Sequence, residues 1–216
     1  MQLTLIQLYE KIRASMGPSG WWPADSKEEI IIGAILIQNT NWQNADRALE
    51  RLRQATALQP DRILALPTAQ LHKLVRPAGF YRNKSRALVS VLGWLKRGNY
   101  DCPAICQYYG AQLRNELRRL RGVGPETADV LLTYIFDVPT FISDKYACTL
   151  FTCLGVSSLT DYRGLARRCS LPADFTPAMA KDFHGLIDEF GKVYFHSLSK
   201  FQESFLSGDR LIIPVG

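Results

Sequence analysis

Asp144 is the residue best placed to do chemistry in this 216-residue chain. It ends the largely apolar run Val138-Pro139-Thr140-Phe141-Ile142-Ser143 and precedes Lys145-Tyr146-Ala147, where a helical pattern starts. A helix N-terminus favours the ionised carboxylate. Such a group can stabilise developing positive charge or take a proton from water. Read alone, Asp144 or Ser143 is better explained as an ordinary N-cap. Other reactive residue types are less organised. Cys102, Cys106, Cys148, Cys153 and Cys169 contain no C-x-x-C pair, and His72, His184 and His196 form no ligand pattern with them. Buried thiols in a reducing compartment are expected, and no metal site.

A second chemical feature lies just upstream. Leu113, Leu117 and Leu120 repeat at i, i+4 and i+7, while Arg114, Arg118 and Arg121 follow one position behind, which predicts a helix with one apolar and one basic stripe. It ends at Arg121-Gly122-Val123-Gly124-Pro125, where Pro125 suits the first position of a new helix. The glycines permit a tight turn, Val123 can anchor it, and the amides of the second helix form an anion site.

These residues need elements to hold them. Ser26-Lys27-Glu28-Glu29 reads as a capping box opening a helix to about Ile37, apolar nearly all round and so expected to cross a core. Further helices are expected at about 42–54, 68–75, 82–97, 110–120, 125–136, 144–154, 161–169 and 177–205. Only Val138–Ile142 and Leu211–Val215 resemble strands. The fold class is therefore all-α, as two helical lobes with a central cleft: residues 24–135 in one, residues 1–23 with 136–216 in the other. The longest apolar run, Ile30–Ile37, is too short to span a membrane. The start of the chain has no basic segment leading into an apolar one, so no secretory signal is expected and a soluble intracellular protein is. The formal charge of +6 is unevenly spread: residues 76–121 hold ten bases and two acids, whereas 122–216 hold eight and eleven. That excess suits a polyanion or, more blandly, a solvated face.

The Leu120-Arg121-Gly122-Val123-Gly124 turn between two helices resembles the helix-hairpin-helix element that grips a DNA backbone. With an apolar run ending in Asp144 about twenty residues later, the sequence resembles the helix-hairpin-helix DNA glycosylases that include endonuclease III. The likeness runs over roughly residues 24–195. It takes in Leu36-Ile37-Gln38-Asn39-Thr40, Gly79-Phe80-Tyr81-Arg82-Asn83-Lys84 and Glu189-Phe190-Gly191-Lys192. The resemblance implies that the protein flips a damaged base out of duplex DNA and cuts its N-glycosidic bond in base excision repair. Asp144 would be the catalytic carboxylate, and Gln38 would fill the gap left in the duplex. Gly122, Val123, Gly124, Arg118 and Arg121 would hold phosphate, and hairpin carbonyls could carry a monovalent cation.

Two departures from endonuclease III refine this expectation. Members that also cleave the strand carry Lys two residues after the second hairpin glycine, but this chain has Glu126, which cannot form an imine. A monofunctional glycosylase is expected, with Glu126 and with Lys145, which follows Asp144, as active-site support. The C-x6-C-x2-C-x5-C cluster motif is also missing, and Phe195 stands near its first Cys, so no iron–sulfur cluster and no other cofactor is expected. Both departures are similar to the bacterial 3-methyladenine DNA glycosylase III branch. In that reading Trp21, Trp22 and Trp42 supply a pocket that stacks on a cationic alkylated purine. The alternatives are an endonuclease III-like enzyme for oxidised or mismatched bases and a non-catalytic damage-binding module. The expected setting is a cytoplasmic, nucleoid-associated monomer of bacterial or archaeal origin, acting on damaged double-stranded DNA away from membranes.

Overall fold

Thr4 opens the first helix: its hydroxyl accepts the Gln7 N–H while the Gln7 side chain accepts the Thr4 N–H. That reciprocal cap begins α1 (Leu5–Met16), a helix the sequence reading passed over, just after the two-residue strand β1 (Gln2–Leu3). The computed structural model describes residues 1–157, 159 and 162–213. Its chain divides into two compact units, one formed by Ala24–Phe136 and the other by Met1–Pro23 with Asp137–Gly216.

The Ala24–Phe136 unit holds α2 (Lys27–Leu36), α3 (Trp42–Thr56), α4 (Pro60–Leu64), α5 (Thr68–Val75), α6 (Tyr81–Arg97), α7 (Cys102–Tyr109), α8 (Leu113–Arg119) and α9 (Pro125–Tyr134). Helix α2 packs against α3, α6 and α9 and is buried from Ile31 to Leu36, which is why its sequence is apolar on every side. Ser26 caps it through the Glu29 N–H, but the expected return bond is absent. The Glu29 carboxylate accepts from Asp25 N–H and Arg53 instead, so only half of the capping box forms. Helices α4 and α7 add to the expected set: Pro60 and Pro103, a residue type that also breaks helices, each sit in a first helical turn.

The other unit holds α10 (Lys145–Cys153), α11 (Tyr162–Arg168), α12 (Pro177–Tyr194), α13 (Leu198–Gln202) and β2 (Arg210–Leu211). Phe151, Phe183 and Phe190 are almost fully buried in one core with Leu8 and Ile12 of α1. Each such side chain contributes about 1.5–3 kcal/mol by leaving water. The expected helix at 177–205 is two helices, since Ser197 caps a new one through the Lys200 N–H. Val138–Ile142 pairs with no strand in the described sheet, whose two members are β1 and β2, parallel, with Leu3 opposite Leu211. Of the expected tail strand, Pro214 and Val215 lie outside the described residues, as does Asp161 of the expected helix at 161–169.

Candidate functional site

In the hairpin, Leu113 and Leu117 of α8 are buried, and Val123 is buried between the two glycines. Gly122 has φ +81°, and a Cβ there would stand 2.5 Å from the Ala87 methyl. Gly124 differs: its φ is −81°, and a Cβ would meet open space. Only Gly122 therefore needs glycine for the fold itself. The basic stripe is also divided. Arg114 turns inward and grips Asp129 of α9 with two hydrogen bonds, of 2.5 and 2.8 Å. Arg118 and Arg121 are exposed. Glu126 occupies the second position of α9. Although its surface is exposed, desolvation by the surrounding protein, with repulsion from Asp129, raises its carboxyl above the ordinary value.

Gln38 follows the end of α2 and reaches the hairpin. Its amide donates to the Gly122 carbonyl at 3.1 Å and the Thr127 hydroxyl at 2.9 Å. The two segments border a cavity of about 460 Å³, also lined by Asn39, Phe80 and Arg121. Phe80 is 66% exposed and held at φ +45°, so an apolar ring projects beside an amide and a guanidinium. Trp42 is the first residue of α3, half-exposed after the Asn41 cap.

In the other unit Asp144 is the N-cap of α10. Its Oδ1 accepts the Ala147 N–H at 2.8 Å, while Oδ2 faces His184 Nε2 across 3.8 Å. Burial lowers the His184 pKa to about 4, so a neutral imidazole faces that carboxylate at pH 7. Lys145, one residue on, is exposed. The Trp21 and Trp22 rings lie 5.5 Å apart, and the Lys192 ammonium sits 4.6 Å from the Trp21 ring while pairing with Asp188 and Glu189.

Helix α12 gathers these parts. Asp182 accepts the Ser19 N–H at 2.7 Å. Gly185 leaves room for Ser19 and Trp21, and Gly191 leaves room for the Tyr146 ring.

The chain resembles known proteins along most of its length. Residues 32–135 match the HhH-GPD superfamily of base excision DNA repair proteins. Over 196 residues the chain is 34% identical to a Methanocaldococcus jannaschii protein with the provisional name DNA repair glycosylase, and the match covers 88% of each. The chain belongs to the HhH-GPD superfamily. Like other HhH-GPD proteins, it is a DNA glycosylase of base excision repair by family. Endonuclease III of Bacillus subtilis is 28% identical over 62% of this chain and 57% of its own. Among solved structures, H. pylori 3-methyladenine DNA glycosylase (MagIII), bound to 1,N6-ethenoadenine, superposes with a TM-score of 0.70. That match has 26% identity and covers 88% of this chain and 98% of the other.

Within this HhH-GPD chain the sequence-derived residues fall into two sets. Gln38, Trp42, Arg118, Arg121, Gly122, Val123, Gly124 and Glu126 lie in the Ala24–Phe136 unit; Trp21, Trp22, Asp144 and Lys145 lie in the other. The structure brings Gln38 onto the hairpin and pairs Trp21 with Trp22. It also adds four residues: Thr127, Phe80, His184 and Lys192. An aromatic directly after Gly79 was a usable signal for Phe80. His184 gave none, being forty residues from Asp144 and brought near it only by the packing of α12 on α10.

Proposed function

We propose that this protein is a monofunctional glycosylase that hydrolyses the N-glycosidic bond of an alkylated, 3-methyladenine-type purine in duplex DNA. The observation that carries this reading is Glu126 at the second position of α9, where strand-cleaving relatives of the endonuclease III kind need an amine. Hydrolysis requires only water. As the bond from C1′ to the base nitrogen breaks, its electrons leave with the base and positive charge develops on the sugar. The Asp144 carboxylate stabilises that charge and takes a proton from the water that bonds to C1′. A 3-methylated purine is already cationic, so the leaving base needs no proton. The Trp21 ring already holds one cation, the Lys192 ammonium, and a cationic purine would make the same kind of contact with the indoles. The MagIII likeness supports the alkylated-purine class.

Duplex DNA is held by Arg118, Arg121 and the hairpin amides, with Gln38 occupying the vacated position in the stack. Gly124, open on its free side, lets a phosphate approach the α9 N-terminus. Hairpin carbonyls are the oxygen donors a monovalent cation takes. Leu120 O and Gly122 O each accept one hydrogen bond and keep a second lone pair. Such an ion would brace the turn, and no step of the reaction passes through it. No organic cofactor or cluster is required. The protein is proposed to act as a cytoplasmic, nucleoid-associated monomer; no described helix is long and apolar enough to cross a membrane.

The test is incubation with methylated duplex DNA, scoring released bases and abasic sites opened by alkali. Release of 3-methyladenine that Asp144→Asn abolishes, with binding retained, is expected. Direct nicking, or a borohydride-trapped adduct through Lys145, overturns the monofunctional reading; release of oxidised bases alone overturns the substrate class.

A further inference from the structure

The cavity beside Gln38 is bordered by two short turns, residues 37–41 after α2 and residues 76–80 before α6. One side chain ties them together. Lys84, in the first turn of α6, is 2% exposed, and its ammonium donates to the Leu36 carbonyl at 2.8 Å and the Ala78 carbonyl at 2.6 Å. Leu36 is the last residue of α2, two before Gln38, and Ala78 stands two before Phe80. The first carbonyl lies at the negative end of the α2 dipole, which suits a cation. An apolar side chain of the same length would avoid desolvating an ammonium but would take this donor from both carbonyls, so the ammonium joins the two turns through their backbones. Gln38 is the side chain that link serves, because its amide must exchange Gly122 and Thr127 for a base when it meets DNA.

We propose that Lys84 is a positioning residue: its buried ammonium clamps the Gln38 turn to the Phe80 turn, so that Gln38 changes partners without its backbone moving. This rests on the reading that Gln38 enters the duplex. Burial draws the Lys84 pKa down to about 8, so the clamp is charged at neutral pH.

A double-mutant cycle tests it, reading the ratio of affinities for a duplex with a tetrahydrofuran abasic analogue and an intact duplex of the same sequence. Lys84→Met is expected to lower that ratio about tenfold, with intact-duplex affinity within twofold of wild type. Gln38→Ala should lower it similarly, and the double variant should lose no more than either single one. Lys84→Arg, which keeps charge and donors, should recover part of the loss, and it carries the cycle if the methionine variant does not fold. Leu88→Ala, a core truncation in α6, should destabilise the protein without moving the ratio. Losses that multiply in the double variant overturn the clamp, as does a Lys84→Met protein with the full ratio beside a Gln38→Ala protein that has lost it. A full ratio in Gln38→Ala overturns the Gln38 reading itself.

Discussion

Gly122 and Gly124 stand two residues apart in one turn and answer to different demands. Alanine at 122 meets both a positive φ and the Ala87 methyl, so it should cost about 2 kcal/mol or more in chemical denaturation. Alanine at 124 meets nothing within the protein, so the thermal midpoint should hold while affinity for duplex DNA falls. Equal losses of stability at the two positions would remove the distinction. His184 makes a second residue-level prediction, in pH. Its unfolded imidazole binds a proton near pH 6.5 and its folded one only near 4, so between those values the unfolded chain holds more protons. Stability should therefore fall as pH drops through that window, by about 3 kcal/mol at pH 4. Urea unfolding of His184→Gln should lack that component; an unchanged pH profile would contradict it.

Helix α12 and the α8–α9 pair show how elements turn residues into a site. Gly185 lets α12 approach Ser19 and Trp21, so Gly185→Ala should displace the Trp21–Trp22 pair, seen as a shift in tryptophan emission and weaker lesion binding. In the hairpin, Arg114 and Arg118 should separate cleanly. Arg114→Met removes the two hydrogen bonds that buried Asp129 accepts from the guanidinium and should cost about 2 kcal/mol, with the salt dependence of DNA binding unchanged. Arg118→Gln should leave stability alone and lower the slope of log affinity against log salt by about 1. Sequence periodicity could not tell these arginines apart, because both sit on one stripe and the distinction depends on Asp129, fifteen residues past Arg114. Lys84 is the same case: it counts toward the basic excess of residues 76–121, yet it points into the protein and holds two carbonyls. Local signals were read more reliably. The all-α class, the Ser26 cap and the turn at Gly122–Gly124 depend on neighbours within four residues. The Val138–Ile142 segment has strand composition, but a strand exists only with a partner, and none of the described strands pairs with it.

At the scale of the whole molecule, one unit is built from both ends of the chain. β1 pairs with β2, and Asp209, nearly buried, takes the N-terminal ammonium at 2.9 Å and Lys11 at 2.5 Å. Burial alone would raise the Asp209 carboxyl, but hydrogen bonds and charge from these two cations bring it below its ordinary value. Its contribution is present above the usual carboxylate range and is lost as pH falls through it. Asp209→Asn should lower the thermal midpoint at pH 7 and narrow that gap toward pH 3; a constant difference across this range would refute the assignment. The Arg210 N–H donates to the Met1 carbonyl at 2.7 Å and the Ile212 N–H to the Leu3 carbonyl at 2.8 Å, so the two segments are joined by backbone as well as by charge.

The same closure sets an order of events during synthesis. Residues 24–136 emerge as one uninterrupted stretch that carries its own compact unit. Leu3 must wait for Leu211, more than two hundred residues later. At roughly 5–20 residues per second the strand pair waits about ten to forty seconds, and the apolar face of α1 waits for most of that time, until α10 and α12 emerge to form its core. The nascent chain should therefore be most open to chaperones and proteases at α1.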